Sequence, residues 1–171
     1  MRDANEILVD NTVFSNFASI HRLDVLQKVM HRVFITQQIY DEVIAGILAG
    51  YDFQQQVQAE VIKKPPEKWI YITNIRDAEI SLYQKLLITL GKGEASGIAT
   101  AKVRNWGFLT DDRKARRIAQ EQGIKLSGTL GILRSAVIRQ VLTAAEADNL
   151  LGEMIKRGYH SPYTSINQLM K

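Results

Sequence analysis

The clearest structural signal in the chain is Gly107-Phe-Leu-Thr-Asp-Asp-Arg-Lys-Ala-Arg-Arg-Ile-Ala119. It begins as a short apolar run, reaches two adjacent carboxylates at Asp111 and Asp112, and continues as a basic amphipathic segment. In an open α/β sheet, ligands bind outside the carboxyl ends of the strands. The pattern therefore predicts a buried strand that ends in a polar crevice at this acidic pair.

Similar apolar runs alternate with helical patterns along the rest of the chain. We predict strands at 6–11, 32–36, 69–73, 108–110 and 124–126. Between and after them, helical spacing predicts helices that include 37–48, 77–90, 94–104, 113–122 and 143–156. Strands that alternate with helices favour an α/β fold, with a mainly parallel sheet covered by helices on both faces.

Length and composition fit one ordinary globular domain covering residues 1–171, with 46% hydrophobic and 23% charged residues. The absence of Cys excludes disulfides, thiolate catalysis and Cys-bearing zinc sites. The start of the chain is polar, and no apolar run approaches the roughly 20 residues of a membrane span. We therefore expect a cytoplasmic protein that does not enter a membrane.

The charge of the chain is uneven. Residues 91–171 contain 13 Lys/Arg and 7 Asp/Glu, whereas the first 90 residues contain 9 and 11, and the formal net charge is +4. A basic half favours a polyanion partner such as nucleic acid. A solvated basic surface without a partner is the alternative.

Three further acids lie at element boundaries. Asp10 ends the first predicted strand, Glu42 lies on a helix, and Glu94 opens one. Taken singly, they are typical of a helix cap, a surface residue and a first-turn acid. Together with the acidic pair, they can reach one crevice, where the carboxylates would repel one another. A bound divalent cation would relieve that repulsion. Since only oxygen ligands are available, the cation is expected to be Mg²⁺ or Mn²⁺.

Four sequence boxes carry a family resemblance. They are Ile7-Leu-Val-Asp-Asn-Thr12, Tyr40-Asp-Glu-Val43, Gly91-Lys-Gly-Glu-Ala95 and Leu109-Thr-Asp-Asp-Arg-Lys-Ala-Arg116. In this order they resemble the motifs of PIN domains, most closely a VapC-like branch that also has Gly-Thr-Leu-Gly, here Gly128 to Gly131. The resemblance covers a core of about 6–142, and residues 143–171 would form a C-terminal helical extension.

The resemblance implies a three-layer α/β/α fold and a Mg²⁺- or Mn²⁺-dependent nuclease, usually acting on RNA. It assigns catalysis to five acids, Asp10, Glu42, Glu94, Asp111 and Asp112. Metal would be held by Asp10, Glu94 and the acidic pair, and Glu42 would hold a second metal or a metal-bound water. Within the pair, Asp111 is the first choice for the metal, whereas Asp112 is better placed to cap the following helix or to hold an outer-shell water. The chain departs from the usual pattern at Glu94, where Asp is commoner, and at Asn11, where a small hydroxyl residue is frequent.

Four basic residues are candidates for phosphate binding, namely Lys92, Arg113, Arg116 and Arg117. The three arginines share one helical face, because they are spaced i, i+3 and i+4. A solvated helix face is the alternative interpretation of the same spacing.

Three expectations concern partners and alternatives. The nuclease could be the toxin of a toxin–antitoxin pair, or the chain could be a catalytically silent module that binds nucleic acid or protein. A homodimer is expected from the resemblance. The apolar stripe Leu150, Leu151, Met154 and Ile155 would be either core or a partner surface.

Overall fold

The protein is described by a computed structural model that covers residues 6–171, so the first five residues of the predicted domain lie outside the description. Its centre is a parallel sheet of five strands in the order β3-β2-β1-β4-β5. The strands are β1 (Ile7–Val9), β2 (Val33–Thr36), β3 (Ile70–Thr73), β4 (Gly107–Leu109) and β5 (Leu126–Ser127). The strand order reverses beside β1, which makes this sheet doubly wound.

Helices connect these strands and cover both faces of the sheet within the described residues. They are α1 (Asn11–Ser19), α2 (Leu23–Met30), α3 (Gln37–Leu48), α4 (Gln54–Val61), α5 (Asp77–Leu86), α6 (Lys92–Arg104), α7 (Arg113–Glu121), α8 (Thr129–Ile138) and α9 (Ala144–Lys156). A 3₁₀ turn, Ile166–Leu169, follows near the end of the chain. The predicted three-layer α/β/α fold is confirmed.

Two separate hydrophobic cores form because neighbouring residues of a strand point to opposite faces. Leu8 and Phe108 are buried beneath α5, α6 and α7, while Val9 and Leu109 are buried beneath the helices of the other face. Both sides of each central strand are therefore apolar, as continuous apolar runs predict for a parallel sheet.

Several element boundaries differ from those predicted. The helix predicted over 77–90 ends at Leu86, and a turn carries the chain to Leu90, which is buried although it is not helical. The next helix begins at Lys92 rather than Glu94, so Gly93 lies inside its first turn. Gly91 is the extended residue that precedes this helix. The Gly-Lys-Gly segment is thus a helix start rather than a break.

The last elements pack on the same core as the sheet. Leu151 and Met154 of α9 are buried in it, while Ile155 is exposed. The tail beyond α9 returns to this core at Ile166, which is fully buried. The apolar stripe of α9 is therefore chiefly core, and Ile155 lies at its exposed margin.

Candidate acidic site

The site lies at the carboxyl ends of β1 and β4, where the strand order reverses. These strands pair in parallel with Val9 opposite Leu109, and the Asp10 N–H donates to the Leu109 carbonyl at 2.8 Å. The backbone leaves β1 at Asp10 and leaves β4 at Thr110, both at this edge of the sheet. The register therefore brings together side chains that are 100 residues apart in sequence.

A cavity of about 760 Å³ opens at this edge. It is lined by Asp10, Asn11, Thr12, Ser15, Asn16, Glu42, Glu94, Asp111, Asp112, Arg113, Gly158, Tyr159 and His160. All five acids named from the sequence are in this lining. The convergence that the strand ends and helix positions predicted is therefore present in the fold.

Asp10 is the most deeply buried of these acids, with 1% of its surface exposed. Its Oδ2 accepts hydrogen bonds from the Thr12 hydroxyl at 2.7 Å and the Thr110 hydroxyl at 3.0 Å. Burial raises the pKa of Asp10 to about 6. The negative charge of Glu94 also raises it, whereas the hydrogen bonds that Asp10 accepts lower it. The Thr12 hydroxyl also accepts from the Asp111 N–H at 3.1 Å, which joins the two strand ends.

Glu42 projects into the same cavity from α3. The first turn of that helix is fixed by Thr36, whose side chain accepts a hydrogen bond from the Ile39 N–H. The Glu42 Oε1 accepts from the Gly93 N–H at 2.9 Å. Burial raises the pKa of Glu42 to about 7, with repulsion from Asp10 and Glu94 acting in the same direction. Asp10, Glu42 and Glu94 therefore form a mutually repelling trio, which we call the acidic trio.

Two glycines leave room for the acidic trio. A Cβ built on Gly93 would lie 2.6 Å from the carboxylate carbon of Glu42, and one on Gly91 would lie 2.7 Å from Oε2 of Glu94. Real side-chain contacts do not approach so closely. The small residues of the Gly91-to-Ala95 box therefore allow α6 to begin directly against two carboxylates.

Asp111 and Asp112 have different hydrogen-bond partners. Both oxygens of Asp111 are engaged, by the Asn16 amide at 2.9 Å, the Thr129 N–H at 3.0 Å and the Thr129 hydroxyl at 2.5 Å. Asp112 caps α7, because its Oδ1 accepts from the Ala115 N–H at 2.7 Å, as the sequence predicted. Asp111 is thus hydrogen-bonded to α1 and α8, whereas Oδ2 of Asp112 accepts no hydrogen bond from the described residues and can bind a ligand.

Several residues of the site were not identified from the sequence. They are Asn16, Thr110, Thr129, Tyr159 and His160. Thr129 belongs to the Gly-Thr-Leu-Gly box, which was noted only as a resemblance and could have signalled a role. Burial and the neighbouring Asp111 carboxylate raise the pKa of Tyr159, so its hydroxyl remains protonated. Nothing in their spacing marked Tyr159 and His160, because they reach the site from the end of the chain.

The four basic candidates occupy different surroundings. Arg113 is exposed and lines the acidic cavity. Arg116 is partly buried, and one of its nitrogens donates to the carbonyls of Thr110 and Ser127 at 2.8 and 3.0 Å. Lys92 and Arg117 are exposed and lie outside the lining of this cavity. The structure therefore places Arg113 at the site and gives Arg116 a contact that ties β4 to β5.

The donor set fits a hard divalent cation. The acidic trio offers only carboxylate oxygens, and Asn11 on the cavity wall has a buried Oδ1 without a hydrogen-bond partner. Within residues 6–171, no group of three or more His, Cys, Asp or Glu is arranged as a ready-made metal cluster. Holding an ion would therefore require the flexible glutamate side chains to adjust.

The comparisons with known proteins agree with this geometry. A family model, DUF3368, described as a PIN domain, matches residues 6–171. The chain therefore belongs to the PIN-domain family, whose members are generally nucleases that use divalent metals. No curated protein matches the chain. Over residues 6–171, no helix is both long and apolar enough to cross a membrane.

Proposed function

We propose that the protein is a Mg²⁺- or Mn²⁺-dependent endoribonuclease that hydrolyses phosphodiester bonds in the acidic cavity. One observation carries this proposal. Three mutually repelling carboxylates share a cavity at the point where the strand order reverses, and no Lys or Arg within residues 6–171 forms a salt bridge with any of them. Such an arrangement fits a site whose carboxylates are neutralised by a bound cation rather than by a side chain of the protein.

Each side chain has a distinct task in this proposal. Asp10, Glu42 and Glu94 would hold the cation, together with the oxygen of Asp112 that does not cap α7. When bound, the ion would activate water and stabilise the departing oxygen of a phosphodiester.

The remaining residues arrange this machinery and the substrate. Asp111 is a positioning residue, because it fixes Asn16 and Thr129 and lies against Tyr159. The sequence had favoured Asp111 as the metal ligand within the acidic pair, and its hydrogen bonds move our choice to Asp112. Arg113, exposed at the rim, would bind the substrate phosphate.

The proposal is tested by a pair of adjacent acids on α3. Glu42 lines the cavity, whereas Asp41 is exposed and accepts a hydrogen bond from Gln37 at 2.8 Å. We expect purified protein to cleave single-stranded RNA with Mg²⁺ or Mn²⁺ and to stop when EDTA is added. Glu42→Gln should lower the cleavage rate by more than about 100-fold, since residues that merely support metal ligands already cost about 10- to 100-fold. Asp41→Asn, which makes the same chemical change, should leave the rate unchanged.

Other outcomes would contradict the proposal. Cleavage that persists in EDTA, or in pure Glu42→Gln protein, would exclude the metal-dependent mechanism. Binding of RNA with no metal uptake and no cleavage would instead support the catalytically silent module.

The toxin role, the antitoxin partner, the homodimer and the cytoplasmic location remain predictions. Growth arrest on expression that depends on Glu42, together with co-purification of a small neighbouring gene product, would test the toxin–antitoxin assignment. Sedimentation of the purified protein would test the dimer.

A further inference from the structure

A second cavity of about 550 Å³ adjoins the acidic one. It is lined by Asp111, Arg113, Arg116, Leu126, Ser127, Gly128, Leu130, Tyr159, His160, Pro162, Tyr163 and Leu169. Four of these residues, Asp111, Arg113, Tyr159 and His160, line both cavities. The two cavities therefore lie side by side, and these four residues form the wall that they share.

The chain beyond α9 builds the outer side of the wall. Gly158 adopts a φ of +103°, which ends α9, and the Tyr159 N–H donates to the Met154 carbonyl at 3.0 Å. Farther on, Asp148 accepts hydrogen bonds from the Ser165 hydroxyl at 2.9 Å and from the Ile166 N–H at 2.6 Å. Because the segment is anchored at both ends, Tyr159 and Tyr163 are held beside the cavity.

The lining of the second cavity combines three kinds of side chain with the Asp111 carboxylate and the Ser127 hydroxyl. Apolar surface comes from Leu126, Leu130, Pro162 and Leu169, and ring surface comes from Tyr159, His160 and Tyr163. Positive charge comes from Arg113 and Arg116. Arg113 is exposed at the junction with the acidic cavity and forms no salt bridge within the described residues.

This chemistry fits a nucleobase attached to a phosphate backbone. The volume is within the roughly 300–1,000 Å³ of small-ligand sites. Aromatic side chains bind unpaired bases of single strands by stacking, while arginines neutralise the phosphates. Bases inside a duplex are already stacked and paired, so only an extruded or single-stranded base can enter a pocket.

We propose that the second cavity binds one unstacked nucleobase of a single-stranded nucleic acid, next to the phosphodiester bond that lies in the acidic cavity. We call it the base subsite. This inference rests on the proposed nuclease function and extends it, because it assigns the cavity beside the tail to one base next to the scissile bond.

The test measures binding in EDTA, where no cleavage occurs. Fluorescently labelled single-stranded RNA and DNA of the same sequence are each compared with versions that carry one abasic residue, moved along the strand. We expect one abasic position to weaken binding by about 5- to 150-fold, the range expected from losing one base–aromatic stack. An effect in both strands assigns recognition to the base, and an effect in RNA alone adds the ribose hydroxyl. Either result supports the subsite.

Tyr163 supplies the matched variants. It is 37% exposed, so its replacement leaves the hydrophobic core intact. Tyr163→Ala should bind the intact strand as weakly as wild type binds the abasic strand, and should no longer distinguish the two. Tyr163→Phe should retain the ring and the discrimination. Tyr51→Ala removes another exposed tyrosine, which lines neither cavity, and should behave as wild type.

The subsite is overturned if no abasic position matters, if Tyr163→Ala still discriminates, or if neither strand binds. Abasic insensitivity with capture of a protein partner that Tyr163→Ala loses would assign the cavity to that partner instead. Failure of the nuclease proposal is distinguishable, since metal-dependent cleavage is measured separately. A protein that shows the abasic effect and never cleaves keeps the subsite, and one that cleaves without the effect loses it.

Discussion

Two buried carboxylates in this protein have the same exposed fraction and opposite electrostatic surroundings. Glu79, in the first turn of α5, and Asp10, in the acidic trio, each have only 1% of their surface exposed. Glu79 lies against an arginine of its own chain. Asp10 lies among hydroxyl groups and other carboxylates. Comparing the two shows which buried charges are part of the fold and which belong to a site.

The negative charge of Glu79 is neutralised within the chain by Arg104. Arg104 donates to Glu79 at 2.5 and 3.0 Å, and also to the Thr73 hydroxyl and the Asn74 carbonyl at 2.7 and 2.8 Å. Burial alone would raise the pKa of Glu79, but hydrogen bonds from Arg104 and from the Arg76 N–H outweigh it and lower that pKa. The pair therefore connects the end of β3 to α5 and α6 without any outside group.

The acidic trio has the opposite balance. The pKa values of Asp10 and Glu42 are raised to about 6 and about 7, because burial and mutual repulsion outweigh their hydrogen bonds. Near neutral pH the trio holds charges that the chain does not neutralise. A buried carboxylate with a built-in cation belongs to the fold, whereas the absence of such a cation beside the acidic trio supports our proposal that it binds an external one.

The largest expected effect is on the structural pair. Arg104→Ala should lower the free energy of unfolding by about 3–5 kcal/mol, because it leaves the buried Glu79 carboxylate without its cation. Urea unfolding followed by circular dichroism measures this change. Lys102→Ala, on the same helix, removes an exposed cation bound to the Gln122 carbonyl and should cost less than about 1 kcal/mol. Equal losses in the two variants would contradict the structural role of the pair.

The next effect is a dependence on pH with opposite sign in the two regions. Glu79 has a lowered pKa, so its stabilisation is present above its ordinary pKa of 4.5 and is lost as the pH falls. Asp10 has a raised pKa, so the metal-free folded protein binds its proton more tightly than the unfolded chain does. Stability should therefore decrease by up to about 3 kcal/mol as the pH rises from 3.8 to about 6.

Asp10→Asn separates these contributions. In EDTA at neutral pH, the variant should unfold at higher urea than wild type, because the penalty for the buried charge is gone. Mg²⁺ or Mn²⁺ should stabilise wild type and leave Asp10→Asn unchanged. A wild type whose stability ignores both pH and metal would refute the view of the trio as an uncompensated site.

A smaller effect is expected from one methyl group at Gly93. Gly93→Ala places a Cβ against the Glu42 carboxylate, so metal affinity measured by calorimetry should fall by about tenfold. Gly152→Ala is the control, since nothing lies within 4 Å of its Cβ in α9. It should leave metal binding unchanged and stabilise the protein by about 0.5–1 kcal/mol. Unaltered metal affinity in Gly93→Ala would remove Glu42 from the ligand set.

The smallest difference is within the acidic pair. Asp111→Asn replaces an acceptor of three hydrogen bonds and should cost about 1.5 kcal/mol of stability. Asp112→Asn retains a good helix cap, so stability should change by only a few tenths of a kcal/mol while metal affinity decreases. The reverse pattern, with metal affinity lost only in Asp111→Asn, would restore Asp111 as the ligand.

Much of the fold followed from local pattern. Continuous apolar runs marked the parallel strands, and α3 was predicted at its observed bounds, Gln37–Leu48. The predicted helix boundaries were wrong where contacts with distant parts of the chain, rather than the local sequence, determine which residue is accommodated. Gly93 was predicted to precede the helix over 94–104, but it lies within the first turn of α6, where an added Cβ would lie 2.6 Å from the carboxylate carbon of Glu42.

The acids of the site could be predicted from the sequence because each lies at a strand end or on a helix that borders the crevice. Their supporting residues were not. Asn16 and Thr129 contact Asp111 across 95 and 18 residues of sequence, and no short-range pattern encodes such contacts. Tyr159 and His160 reach the cavity because the tail folds back after α9.

By itself, the sequence determined the layered α/β fold, the order of the strands and helices along the chain, and the acids available for chemistry. These properties depend on apolar periodicity and on strand-end position, which are local. Only the tertiary structure decided which carboxylates share a cavity, which of them is neutralised by an arginine, and where the tail lies. Burial and charge–charge distance belong to the folded chain, so Glu79 and Asp10 acquire opposite pKa shifts that neither residue type nor sequence position could reveal.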